Sequence, residues 1–151
     1  MGYTSTMLPE DFLSKYSPEE ITERYNAFRA TLKSSPKLQK VVGDDGEYLD
    51  DYYIFVSEKE KDVDGIYTIS LECSDGDYSA KHYSSEALAF FVSTVINDGS
   101  FCELLFEGED GECWGWEIGH LYLRVMTKEW VKTKHELALS EKEYAQLLLS
   151  S

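Results

Sequence analysis

The sequence predicts an α+β fold: an antiparallel sheet of about five to six strands with helices packed on one face. Three observations carry that prediction. Two serine-led capping boxes, Ser17-Pro18-Glu19-Glu20 and Ser140-Glu141-Lys142-Glu143, mark helix starts. Runs of alternating polarity, such as residues 66–73, mark half-buried strands. Short links rich in glycine and aspartate join neighbouring strands, which suits hairpins rather than parallel crossovers. With 151 residues the chain has the size of one domain, spanning 1–151, and its 42% hydrophobic content supplies a core without disulfide staples.

The elements follow in order. Residues 1–15 are mixed, and Leu8, Phe12 and Leu13 are expected in a short helical turn begun by Pro9, Glu10 and Asp11. After Ser17, the residues Ile21, Tyr25, Phe28 and Leu32 form one stripe of a helix. That helix ends near Ser34, because Pro36 disfavours helix in the residue before it. Residues 36–51 read as a loop holding the acidic turn Gly43-Asp44-Asp45-Gly46-Glu47. Strands follow near residues 52–57 and 66–73, the second with Tyr67, Ile69, Leu71 and Cys73 inward. Asp75-Gly76-Asp77 is a turn, and residues 78–83 form a short third strand. Ser84-Ser85 opens a helix over 86–96 with Leu88, Phe91, Val92 and Val95 as its core stripe, closed by Asn97-Asp98-Gly99. Residues 121–127 are a further strand, residues 130–138 fit strand or helix, and the last helix turns Tyr144, Leu147 and Leu148 inward.

Residues 97–119, NDGSFCELLFEGEDGECWGWEIG, read as a hairpin. Its strands are 101–107 and 112–118, joined by Gly108-Glu109-Asp110-Gly111 as a four-residue loop. That loop length places Leu105 opposite Trp114 and Phe101 opposite Ile118. Trp114 and Trp116 are two apart and share a face. Opposite apolar neighbours, the face reads as core. Among Glu103, Glu107, Glu109, Asp110, Glu112 and Glu117 it reads instead as an exposed contact for a sugar or a partner.

The net charge is −15, and the middle of the chain supplies it. Residues 42–78 hold 12 acidic groups against 2 basic ones, and residues 79–119 hold 8 against 1. Direct binding to nucleic acid is disfavoured, because backbone phosphates are repelled. A basic protein surface is attracted and steered. Three cysteines make no disulfide framework and leave a free thiol, which suits a reducing, cytoplasmic setting. No apolar run approaches the roughly 20 residues of a membrane span, and the first residues lack the basic flank and apolar stretch of a secretory signal. Gly2 and Thr6 match the loose N-myristoylation pattern, which is short enough to recur by chance.

His82, His120 and His135 form no metal-ligand pair and belong to no nucleophile pattern. Cys102, Cys113 and His120 lack the spacing of a zinc site. Glu60, Asp62, Asp64 and Gly65 mimic the start of a calcium loop, but Leu71 stands where the closing glutamate is required and a strand follows. The expectation is therefore no catalytic residue, no metal and no cofactor. Acidic and aromatic residues interleave instead. The candidate partner-binding residues are Asp44, Asp45, Glu47, Asp50, Asp51, Tyr52, Asp75, Asp77, Glu107, Glu109, Asp110 and Glu112. Tyrosine anchors interfaces, while carboxylates meet lysine and arginine or imitate the spacing of phosphates. Solubility alone requires no such clustering.

Gly99, Ser100, Phe101, Glu103, Gly108, Glu109, Asp110, Gly111, Trp114 and Trp116 make a segment that resembles a recurrent pattern in small, uncharacterised acidic proteins of bacterial and phage mobile elements. The resemblance covers about 20 of the 151 residues, and Gly115 stands where the pattern commonly has arginine. It implies a mobile-element setting and brings no catalytic residues. The functional expectation is a non-enzymatic acidic protein that inhibits a basic partner, such as a nucleic-acid enzyme, in a counter-defence or toxin-immunity role and as a possible nucleic-acid mimic. The alternatives are a carbohydrate or small-molecule domain, or an enzyme, built on the Trp114/Trp116 ribbon, or a structural subunit of a homo-oligomer.

Overall fold

A helix buried on nearly all sides forms the centre of the molecule. In the computed structural model, which describes residues 2–127 and 131–149, the helix Ser85–Val95 buries nine of its 11 residues. Before it in the chain come β1 (Ser5–Pro9), β2 (Phe12–Ser14), α1 (Pro18–Ser34), α2 (Pro36–Val42), β3 (Tyr53–Val56), β4 (Tyr67–Cys73) and β5 (Ser79–Ala80). The central helix is α3. After it come β6 (Cys102–Gly108), β7 (Cys113–Gly119), β8 (Tyr122–Thr127), β9 (Val131–Ala138) and α4 (Glu141–Leu149). Every strand pairing is antiparallel. The main sheet has the order β5-β1-β6-β7-β8-β9, and a separate sheet has the order β2-β4-β3. The fold is α+β, as the sequence predicts, with the strands divided between two sheets. Trp130 lies outside the described residues, and so does the side chain of His135.

The one-sided stripe expected for α3 understates it. Its apolar residues run unbroken from Ala87 to Val92 and so extend around the helix, and such a helix belongs inside. It lies against β7 and β8 and meets α1 and α2. Phe90 stacks on Phe28 with ring centres 5.9 Å apart, while Phe91 packs against Tyr25, Phe28 and Phe55 at 5.2–5.5 Å. The α1 stripe is the predicted one: Ile21, Tyr25, Phe28 and Leu32 are all buried. Both capping boxes form, Ser17 with Glu20 and Ser140 with Glu143.

Three expectations are corrected. Residues 5–14 form β1 and β2, not a helical turn. Ser5 and Met7 alternate inward, and β1 pairs over its whole length with β6, so non-local pairing outweighs the local helix signal of Pro9-Glu10-Asp11. Residues 36–42 are helical, not loop. The Ser35 hydroxyl accepts from the Leu38 N–H, Pro36 opens the helix, Leu38 and Val42 face inward, and Gly43 closes it at φ 85°. The hairpin register is one residue off. Phe106, not Leu105, lies opposite Trp114, and Cys102, not Phe101, lies opposite Ile118. Gly108 stays in its strand, its N–H donating to the Glu112 carbonyl at 2.8 Å, so the loop is residues 109–111 with Gly111 left-handed at φ 85°.

That slip exchanges the faces of β6. Leu104 and Phe106 face the core beside Trp116 and Trp114. Glu103, Leu105 and Glu107 lie on the outer face, and Phe101 is exposed. Phe106 lies flat on Trp114 and edge-on to Trp116. Trp116 belongs to the core, and half-buried Trp114 packs against it. Among the described residues, no helix is long and apolar enough to cross a membrane.

Candidate functional site

Acidic segments far apart in the sequence meet around a set of tyrosines. Tyr3 donates through its hydroxyl to Asp110 in the β6–β7 turn, and its backbone N–H donates to the Tyr83 hydroxyl at 2.6 Å. The Tyr83 ring sits edge-on to Tyr48, 4.9 Å away, beside the 44–47 turn. The Tyr48 N–H donates to Ser84, which explains why Ser84 begins α3 without capping it by its own side chain. On the other side of this segment, buried His82 stands between the Tyr53 hydroxyl and the Tyr78 carbonyl. Donation to that carbonyl assigns the proton to Nε2 and leaves Nδ1 to accept from Tyr53. Burial lowers the pKa of His82, against the opposing pull of Asp50 and Asp77. Residues 78–84 thus join the 44–53, 75–77 and 109–112 loops. Nothing about Tyr3 singles it out in the sequence, whereas Tyr83 belongs to the aromatic residues that flank the Asp75–Asp77 turn.

The predicted aspartates mostly serve their own loops. Asp44, Asp45, Asp50, Asp75, Asp77 and Asp110 each accept, at 2.8–3.1 Å, from the backbone N–H two residues later. These are Asx turns, a local reason for aspartate to cluster beside glycine. Asp51 pairs with Arg29 at 2.8 Å. Glu47, Glu107, Glu109 and Glu112 are exposed, and their carboxylates have no such task. Tyr52 is half-buried, its hydroxyl raised in pKa first by burial and then by Cys73 and Asp75. The bond to Asp110 raises the Tyr3 hydroxyl to about 12 and lowers Asp110 in turn. The acidic 58–65 link lies at the other end of the small sheet, since Tyr53 pairs with Cys73 and Val56 with Ser70.

A second acidic surface is assembled from residues that no sequence signal groups together. Where β1 and β4 run past each other, a groove of about 710 Å³ opens. Met7 and Leu71 are buried at its base, and Leu8, Pro9, Leu105 and Tyr78 form its apolar walls. Four carboxylates surround it: Glu10, Asp11, Glu72 and Glu103. Glu10 accepts from the Glu103 N–H at 3.0 Å, and Asp11 accepts from the Ser70 hydroxyl at 2.9 Å. Among the described residues, no lysine, arginine or histidine lines the groove. Leu105 leans over Gly115, where a Cβ would fall 2.8 Å from its side chain and 2.5 Å from the Leu104 carbonyl. The missing side chain at Gly115 is what lets this wall form.

The remaining reactive groups are placed for structure. Cys102 and Cys113 sit at opposite ends of the hairpin, paired with Ile118 and Glu107 respectively. Burial pushes the Cys102 thiol up to about 12 and raises Cys73 as well. Asp62 accepts from the N–H groups of Asp64 and Ile66, closing its own turn. His120 contacts Glu141 at 3.0 Å and ties the β7–β8 turn to α4. Among the described residues, no three histidine, cysteine, aspartate or glutamate side chains gather as a metal site would require.

No protein-family model, curated protein or solved structure matches the chain. The functional reading rests on these two surfaces.

Proposed function

We propose that the protein acts by binding: its acidic, tyrosine-joined loops dock onto a basic surface of another protein in the cytoplasm and block it. The observation that supports this is the chain of contacts from the 109–112 turn through Tyr3 and Tyr83 to Tyr48 of the 44–53 loop, whose Tyr52 carbonyl accepts from the Ser74 N–H beside the 75–77 turn. Of the twelve candidate residues, only Asp51 has an ion-pair partner among the described residues. The field they create is left for a partner. A nucleic-acid enzyme is the most concrete target, since its substrate channel is already basic and shaped for phosphates. A counter-defence protein of a mobile element and an immunity protein against a toxin nuclease both fit.

The test is capture by the tagged protein from its host, and from cells carrying mobile elements, at low and at high salt. A basic, nucleic-acid-handling protein held at low salt and released at high salt is the expected result. Kinetics with that partner complete it. The quadruple substitution E47Q/E107Q/E109Q/E112Q removes charge while sparing every Asx turn, and it slows association more than it changes dissociation. An unchanged association rate overturns the reading.

A further inference from the structure

We infer that the groove between β1 and β4 is a docking site for an extended basic segment of a partner protein, with apolar and cationic side chains in alternation. The inference rests on the binding function just proposed and assigns the partner's chemistry at a second surface. Four carboxylates surround the groove, and none forms an ion pair among the described residues. Glu10 and Asp11 are already held by the Glu103 N–H and the Ser70 hydroxyl, so less ordering is left for binding. The volume of about 710 Å³ lies within the range that takes a small ligand or a short stretch of peptide.

The walls select the occupant. Leu8 is 40% exposed and lies directly opposite Leu105 in the β1–β6 register, so an apolar row faces outward beside the carboxylates. A wholly apolar segment would strip water from four carboxylates and offer them nothing. A purely cationic one would leave Leu8 and Leu105 wet. An extended chain points alternate residues to opposite sides, which sets apolar groups on the floor and cations toward the rim. The backbone is not recruited as an added strand along the whole edge. β5 covers β1 only at Ser5 and Thr6, and Pro9 offers no N–H. Side chains carry the recognition, and the matching charge supplies its sign.

The probe is a fluorescein-labelled hexapeptide of alternating lysine and leucine, followed by anisotropy at low salt, with an alternating lysine–serine hexapeptide as the control of equal charge. The lysine–leucine peptide binds at least about tenfold more tightly than the control, and E72Q/E103Q weakens it by about tenfold. The E47Q/E109Q/E112Q protein, altered only at residues outside the groove lining, stays within about twofold of the parent. Amide shifts of the labelled protein centre on Met7, Leu8, Leu71 and Leu105, and the remaining signals confirm that each variant is folded. Equal binding of the two peptides, or equal weakening by the two sets of substitutions, overturns the groove as a site and leaves the acidic-loop function standing. If the peptide behaves as expected and no basic protein is ever captured from cells, the groove stands and the proposed function falls.

Discussion

The acidic loops and the β1–β4 groove are built from the same residue types and use them differently. In the loops, a carboxylate oxygen of each Asx-turn aspartate is taken by a backbone N–H two residues on, as in Asp50 with Tyr52 and Asp75 with Asp77. In the groove, Glu72 and Glu103 face an apolar floor and have no hydrogen-bonded partner for their carboxylates among the described residues. The difference teaches that the nearest donor, more than the number of charges, decides whether an acid is part of the fold or part of a surface. A count over residues 42–78 merges the two.

The largest expected effect tests what the two regions share. Phe106 touches His82, Trp114 and Trp116 and lies opposite Met7 of the groove floor. Phe106→Ala costs about 3–5 kcal/mol in urea unfolding, and a cost below about 1 kcal/mol would show that the regions do not lean on one support. Gly115→Val strains β6 at the groove wall, by driving Leu105 and the Leu104 carbonyl aside. Its cost is about 1–3 kcal/mol, with loss of lysine–leucine peptide binding; intact binding would remove Leu105 from the wall.

Smaller effects separate turn from charge. Asp50→Ala loses about 1 kcal/mol, whereas Asp50→Asn keeps the acceptor and loses only a few tenths. Equal losses would make the charge, not the turn, the contribution. E72Q/E103Q changes stability by less than about 0.5 kcal/mol, since these groups bind nothing within the protein that a glutamine loses. A larger loss would place the groove acids with the fold.

Acidity should reach the loop region through His82. Burial lowers its pKa in the folded protein, so the unfolded chain takes up the proton first. The stability it contributes is present above the unfolded value of about 6.5 and is lost as the pH falls below it. His82→Gln flattens the dependence of stability on pH between about 5 and 7. An unaltered slope would assign that dependence to other groups.

Most of the elements were legible because their signals are local. The α1 stripe, both capping boxes and the inward face of β4 depend on neighbours two to four residues apart. The α2 helix was legible too, since Ser35-Pro36 repeats the form of Ser17-Pro18 and Gly43 ends it, but a seven-residue helix among acidic turn residues reads as loop. The hairpin register depended on which of Gly108 and Gly111 belongs to the turn, and both are compatible with one. Six of the eleven candidate acids follow the aspartate spacing of Asx turns, which can be read directly. The candidate interface residues are thus partly turn residues.

By itself the sequence determined the fold class, the principal helices and strands, the sign of the charge and its concentration in the middle of the chain. Only the tertiary structure decided that Tyr3 meets Tyr83 and Asp110, that β1 enters beside β6, and that segments near residues 6–11, 70–78 and 103–105 enclose one groove. The physical reason is range. A cap or a stripe is settled within one or two turns of backbone, while a groove exists only after chain closures of about 60 to 100 residues have been made, and the energy that makes them comes from the core around α3 rather than from the residues that line the groove.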